Sequence, residues 1–569
     1  MVSKFDPAVI VIIFLAVVLP EKTESAQDFR ALEGQVDEMV RAMLACKPKI
    51  SGVTLAVVKD GQPIVQKGYG MADREKNIPA TRDTLFQIAS LSKGFTTTLL
   101  MKVLDKLPNV TVNTPVTKIL KGDFSFNDAQ LNQYATIQDL MSHRLGLPSH
   151  NYVRLKDMTR AELAGLFKYI KPKGEFRSTF YYNNIVYGLL TYITEVLGGD
   201  TWENLMSREL YEPLGMSRTT FAHALEPNET GVAVGYQSDR DGQLAEVPNE
   251  LSRQWGKLGG SGAIMSTAVD MTKWIKFHLS EGKNGTGHRV MSSRTIRKNH
   301  EAKVTMTSSI NKYITVPEFP TTFVVDRYAA AWRNGYYRGL ETVSHTGSTF
   351  GYTAILMLYP DVDLGIFIGL NGEDPSVFSR TALQSFIADL VLGYEPWLNT
   401  TSVCTFPAPW KETRPSGRDG PIKKDLTPTK PLDTYVGQYS LPLYGALDIT
   451  KNKDVNCTNC LRMTYGISIW DLYPGALPNQ FIALGKGAVR LWNAVSVMFN
   501  VPSGKSKAAS LQLLSFDSKD PPTFSRVKPQ CQDGCKAHQS ASDNSGSPLF
   551  CTPWMTTFLS ALFFMQFIF

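Results

Sequence analysis

Two strand-like clusters stand at opposite ends of a long helical stretch, and any fold of this chain has to bring them together. Near the start, residues 53–58 and 63–67 have the composition of two short strands, joined at Lys59, Asp60 and Gly61, a turn cluster suited to a hairpin. Far downstream, residues 353–358 and 364–370 repeat the pattern around a break that contains Pro360, Asp361 and Asp363. Helical periodicity fills the interval, beginning with Phe95, Leu99, Leu100, Val103 and Leu104. Strands at both ends with helices between them predict one antiparallel sheet assembled from distant sequence: an α+β fold with a helical cluster.

The rest of the chain divides around a proline-rich segment. Residues 405–431 hold Pro407, Pro409, Pro415, Pro421, Pro428 and Pro431 among charged residues, the composition of a semi-rigid linker. Beyond it, the short runs 461–464, 480–484 and 489–492, with no long helical period, predict a small all-β barrel or sandwich. The expected organisation is a 27–400 catalytic-type domain, a 401–432 linker, a 433–530 β domain and a 531–569 tail.

Both termini carry processing signals. An apolar run over 8–19 behind Lys4, followed by Ser25 and Ala26, predicts a signal peptide over 1–25, with an uncleaved anchor as the alternative because Asp6 interrupts the basic leader. At the other end a small polar stretch, 540–547, precedes a charge-free run from Leu549 to Phe569, the layout of a tail exchanged for a glycolipid anchor. A sticky terminus or a single span are the competing readings. Membrane contact is therefore expected only through this tail, on a protein that is secreted or held at the cell surface.

Seven cysteines fit that compartment: Cys46, Cys404, Cys457, Cys460, Cys531, Cys535 and Cys551. Disulfides are the expected use, ahead of a zinc site built from the last two close pairs before Cys551. Asn109, Asn228, Asn284, Asn399 and Asn456 head glycosylation sequons that leave the candidate catalytic segments uncovered. The net charge of +7 is spread along the chain without a basic stripe, which argues against a nucleic-acid partner.

Chemistry concentrates at one of four Ser-x-x-Lys patterns. They begin at Ser90, Ser280, Ser309 and Ser525, and only Ser90 lies between an apolar approach (Leu85, Phe86, Ile88, Ala89) and an apolar-periodic helix. There Lys93 would share a helix face with Ser90, close enough to take its proton once burial or a neighbouring cation lowers the amine's pKa. By itself the pattern also describes a capping serine followed by a surface lysine.

Further clusters give the pattern its meaning. Ser90-Leu91-Ser92-Lys93, Tyr182-Asn183-Asn184 and His345-Thr346-Gly347, in that order, resemble the three motifs of the class C β-lactamase and penicillin-binding-protein superfamily. Leu140-Met141-Ser142-His143, Gly259-Gly260-Ser261-Gly262 and Gly351-Tyr352 are similar to its supporting segments, so the resemblance covers roughly 35–395. It implies acylation of Ser90, acid–base work shared by Lys93 and Tyr182, and orientation of substrate and Lys93 by Asn184. It also implies a far wall of His345, Thr346 and Gly347, an oxyanion hole from the backbone N–H groups of Ser90 and Ser348, and neither metal nor organic cofactor. The segment opening Tyr435-Val436-Gly437 resembles the small β-barrels appended to some esterase and peptidase members.

Two departures narrow the expectation. His345 stands where β-lactamases carry lysine, and a histidine anchors a carboxylate more weakly at neutral pH, so small esters, amides or peptides are expected ahead of penicillins. His143-Arg144-Leu145-Gly146 replaces the family's usual His-Thr-Ser-Gly, and His143 is expected to be structural. The overall plan also resembles animal extracellular β-lactamase-like proteins of the gigasin type, which keeps open a catalytically silent role among shell-type matrix components.

Overall fold

The computed structural model describes residues 26–226, 229–306, 319–412, 426–453 and 459–528. The expected hairpin forms from β1 (Ile50–Lys59) and β2 (Gln62–Asp73), with β3 (Ile78–Pro79) beyond it. The distant strands are β4 (Val304–Thr305), β5 (Phe323–Tyr328), β6 (Arg333–Tyr337), β7 (Leu340–Thr349), β8 (Tyr352–Tyr359) and β9 (Leu364–Gly372). They join in the order β3-β2-β1-β9-β8-β7-β6-β5-β4, so the first strand pairs antiparallel with the last, Val53 opposite Leu370.

Alternation along the strands explains how this sheet is held. Val53, Leu55 and Val57 of β1 pack with Ile366, Ile368 and Leu370 of β9 on one face, beneath α1 (Ala26–Cys46) and α5 (Phe378–Val391). Ala56, Val58 and Phe367 point to the opposite face, into the helical cluster. With both faces covered, these strands read as continuous apolar runs, which is why they were visible in the sequence. Cys46 of α1 is disulfide-bonded to Cys404, tying the first helix to the end of this domain.

At the centre of the helical cluster lie α2 (Ser92–Asp105) and α3 (Asn184–Gly198). α2 is buried almost all round, so its threonines must be satisfied internally: Thr97 Oγ1 donates to Ala330 O at 3.1 Å, and Thr98 Oγ1 accepts from Asn299 at 2.8 Å. Phe95 stacks on Trp274 of α4 (Ala268–Leu279) with ring centroids 3.7 Å apart. α3 starts where the Asn183 side chain accepts from Val186 N at 3.1 Å, an N-cap that fixes the entry of the preceding Tyr182.

The C-terminal region is a closed eight-stranded barrel. Its strands are β10 (Gly437–Leu441), β11 (Gly445–Lys451), β12 (Leu461–Tyr465), β13 (Ser468–Pro474), β14 (Gln480–Lys486), β15 (Val495–Asn500), β16 (Ser510–Leu513) and β17 (Thr523–Arg526). Closure by pairing Tyr439 with Arg526 leaves no open sheet edge. One expectation fails here: 489–492 is not a strand, since Val489 ends a 3-10 turn (Gly487–Val489), and Val489, Leu491 and Trp492 are buried in the core from that turn and the residues after it.

The barrel is docked on the turn that follows Gly146-Leu147-Pro148. The Asp517 carboxylate accepts from the backbone N–H groups of Ser149 and His150 at 3.0 and 2.9 Å, and Ile467 N donates to Leu155 O at 3.0 Å. Tyr152 stacks on Phe516 at 4.0 Å. The barrel thereby holds the 149–155 turn from one side while the helical cluster holds it from the other.

Several readings fall on residues outside those described: the 1–25 leader, the hydrophobic tail, Asn228, Asn456, Cys457, Cys531, Cys535, Cys551 and Ser309. Among the described sequons, Asn109 and Asn399 are exposed, whereas Asn284 is half-buried and donates through Nδ2 to Pro213 O at 3.0 Å. Cys460 is disulfide-bonded. Among the described residues no helix is long and apolar enough to cross a membrane.

Candidate active site

Ser90 sits in a single 3-10 turn, Ala89–Leu91, and α2 follows it directly from Ser92. The turn follows Ala89, held at a φ of 48°, a left-handed conformation that costs a non-glycine residue about 1 kcal/mol or more and persists only under surrounding constraint. Part of that constraint comes from Ile88, whose N–H donates to Ile264 O at 3.0 Å. The Ser90 hydroxyl caps no helix.

Lys93 reaches Ser90 as its position predicts, with Nζ 3.1 Å from Ser90 Oγ. The same nitrogen lies 2.8 Å from Asn184 Oδ1, 2.8 Å from Ser261 O and 3.0 Å from Ser261 Oγ. All four acceptors are neutral, and among the described residues no carboxylate pairs with this amine. Lys93 is 0% exposed, and burial, reinforced by the positive field of Arg333, holds its ammonium well below the ordinary lysine range. A neutral amine has a donor arrangement that fits: two N–H groups for Asn184 Oδ1 and Ser261 O, and a lone pair facing the Ser90 hydroxyl.

Tyr182 completes the triad of groups around Ser90. Burial lifts the pKa of its phenol to about 12, against the lowering effects of the neighbouring Ser90 side chain and of Arg333. The ring lies 4.8 Å from Lys93 Nζ and packs on His143, centroids 4.5 Å apart. His143 accepts from Asn183 N through Nδ1 at 3.2 Å, and burial keeps it neutral, so it underpins the Tyr182–Asn183 corner. Arg144 makes a 2.6 Å ion pair with buried Asp139, which also binds Arg177, so the altered turn is pinned by charge.

β7 supplies the opposite wall, and Gly347 explains the close approach: a Cβ there would meet Ile88 O at 2.4 Å. Gly347 O accepts from Arg380 Nη1 at 2.7 Å, and Arg380 is itself locked to Asp374 at 2.7 Å in a buried pair. Thr346 is half-buried and Ser348 exposed on the same strand. His345 is placed differently from a substrate anchor: it is 2% exposed, Nδ1 lies 2.7 Å from Thr346 O and Nε2 lies 3.0 Å from Tyr328 OH. Burial, with Arg333 and Lys93 adding repulsion, holds it well below the ordinary histidine range.

The family model described as Beta-lactamase matches residues 36–388, which include every residue of this cluster. The chain belongs to the Beta-lactamase family. Members of this family are serine hydrolases. Gigasin-6 of Magallana gigas is 35% identical over 240 residues, covering 42% of this chain and 79% of Gigasin-6. The unguisins hydrolase ungD of Aspergillus violaceofuscus is 26% identical over 430 residues, 70% of this chain and 74% of that protein. Two solved structures share the fold at 19% identity. The octameric penicillin-binding protein homologue from Pyrococcus abyssi has a TM-score of 0.53 and covers 84% of this chain and 98% of its own. A class C beta-lactamase has a TM-score of 0.51 over 64% and 97%.

Within this Beta-lactamase-family site, sequence reasoning left three contributors without a role. Ser261 supplies two of the four oxygens around Lys93, and the signal for it was the glycine beside it: at Gly260 a Cβ would lie 2.4 Å from Thr96 Oγ1. Asn151 Oδ1 accepts from Asn184 Nδ2 at 3.1 Å. Arg333 on β6 sets the local field, and nothing in its sequence neighbourhood marks it. The other Ser-x-x-Lys patterns use their serines otherwise: Ser280 Oγ bonds the Lys283 backbone in an exposed turn, and Ser525 lies on barrel strand β17.

Proposed function

We propose that the chain is an extracellular serine hydrolase that cleaves esters or small amides and peptides through an acyl-Ser90 intermediate. The observation that carries this reading is the buried Lys93 amine, 3.1 Å from the Ser90 hydroxyl and ringed only by neutral acceptors. In the first step Lys93 takes the Ser90 proton as Oγ bonds to the substrate carbonyl carbon. Tyr182, whose phenol stays protonated through the neutral range, gives its proton to the departing oxygen or nitrogen. Water then attacks the acyl-enzyme carbonyl carbon and gives its proton to the Tyr182 phenolate, while protonated Lys93 returns a proton to Ser90 Oγ as the acyl bond breaks, so both groups regain their starting states. Asn184 and Ser261 hold the amine in place throughout. The Arg333 field favours both a neutral Lys93 and negative charge on the tetrahedral intermediate.

The substrate class follows from His345. Buried, neutral and bonded at both ring nitrogens, it offers no cation where a β-lactamase lysine would stand. The likeness to a fungal hydrolase supports hydrolysis, and the Cys46–Cys404 disulfide supports an extracellular location. We include in this reading removal of the leader, glycosylation at exposed Asn109 and Asn399, and exchange of the apolar tail for a lipid anchor.

Labelling with a fluorophosphonate probe tests the proposal: wild type should be labelled and Ser90→Ala should not. Labelling that survives Ser90→Ala removes Ser90 from the chemistry. If wild type is neither labelled nor active on an ester, a D-amino peptide or a chromogenic cephalosporin, and partitions into an insoluble matrix, the matrix role is the correct one.

A further inference from the structure

Arg154 lies on the 149–155 turn, inside a short 3-10 helix that spans Asn151–Leu155. It is 8% exposed, yet among the described residues its guanidinium has neither an ion pair nor a hydrogen bond. Its neighbours are rings: the guanidinium carbon is 4.3 Å from the Trp255 ring and 5.1 Å from that of Phe350. An isolated buried charge is costly, and burial lowers this group to about 10, still cationic at neutral pH. The two rings offset part of that cost and leave its N–H groups open to an anion.

The space for it is present. Arg154 faces a cavity of about 210 Å3 lined also by Asn151, Tyr152, Gln237, Phe350 and Trp492. Trp492 comes from the barrel and stacks on Phe350 with centroids 4.9 Å apart, while its Nε1 is a buried donor without a partner among the described residues. Asn151 connects the cavity to the Ser90 cluster through its bond to Asn184, and Phe350 follows Ser348 by two residues on the chain. With two rings beside it and none of its N–H groups used among the described residues, the guanidinium has donors left for a ligand, which suits one planar carboxylate held bidentately.

We propose that this cavity is a subsite for a carboxylate-bearing group of the substrate, with the carboxylate on Arg154 and an apolar or aromatic body against Tyr152, Phe350 and Trp492. The word substrate rests on the hydrolase reading above; the binding does not. The barrel thus supplies part of the specificity.

The test is calorimetric titration of the full chain with hippurate and with hippuramide, its uncharged counterpart. Hippurate should bind at least about tenfold more tightly, equally well to wild type and Ser90→Ala. Arg154→Gln should close that gap to within about twofold. Gln237→Glu, which adds a negative charge to the cavity without changing its size, should weaken hippurate alone. The proposal is overturned if neither compound binds, if both bind equally, if the gap survives both substitutions, or if it closes with Arg333→Gln instead. An intact gap in a wild-type protein that no fluorophosphonate labels overturns the hydrolase reading and leaves the subsite standing.

Discussion

Lys93 and Arg154 are two buried basic side chains on either side of one hydrogen bond, that between Asn184 and Asn151, and they differ in what meets their polar atoms. Each lies against two aromatic rings, but the lysine nitrogen also meets four oxygens, whereas the arginine faces a cavity. Burial disfavours charge at both, but only one can comply. A lysine gives up its proton and becomes a base, while a guanidinium brought down to about 10 remains a cation at physiological pH. The same desolvation therefore yields a proton acceptor at one position and a standing anion receptor at the other.

The harshest way to break the contrast is Lys93→Arg, which puts the non-titrating group where the titrating one belongs. Acylation by the fluorophosphonate should slow by on the order of 10^3-fold or more, although much of the side-chain bulk is kept. A rate within tenfold of wild type would mean that Lys93 is not the base. Tyr182→Phe should cost less, about 10^2-fold, and more for substrates with poor leaving groups than for activated esters. An equal loss on both kinds of substrate would reassign Tyr182 from proton donor to packing.

A pH profile sharpens the same comparison with a smaller effect. If neutral Lys93 is the active form, kcat/KM falls on the acid side as the amine takes up a proton, by up to tenfold per unit. Tyr182, lifted to about 12, should add no alkaline limb near neutrality. Arg154→Gln should leave the acid limb in place for a substrate without a carboxylate. An acid limb that is unchanged in Lys93→Arg would belong to another group.

The large features were legible because they are repetitive. Apolar runs covered on both faces gave away β1, β8 and β9, and motif order brought Ser90, Lys93, Tyr182 and Asn184 to one point. What escaped was relational. Val489, Leu491 and Trp492 are apolar enough for a strand, but they are buried from a turn and the residues after it, a choice made by tertiary packing. His345 matched its motif, yet Tyr328 on another strand decides what its imidazole can do. Nothing in the sequence marks Arg154, since the lack of a carboxylate beside it among the described residues is set by neighbours such as Trp255 and Phe350, distant along the chain.

The buried histidines extend the lysine's behaviour to stability, and here the expected effect is smallest per group. His143, His278 and His345 are held well below the ordinary histidine value of 6.5, His150 lies below it, and His300 falls to about 4, in each case chiefly by burial. The folded state leaves them neutral where the unfolded chain already binds protons. Stability should therefore be fully present above about pH 6.5 and decline as pH falls toward 4.5, by at most about 1.4 kcal/mol per histidine per unit. Carboxylates held low, such as Glu203 at about 2, do not titrate in that window. Urea midpoints at pH 7, 6 and 5 measure the slope, and Arg154→Gln should shift all three alike, because arginine exchanges no proton there. A flat profile would mean that these imidazoles are protonated in the fold, and with them the claim that burial sets the charge state around Lys93 would fail.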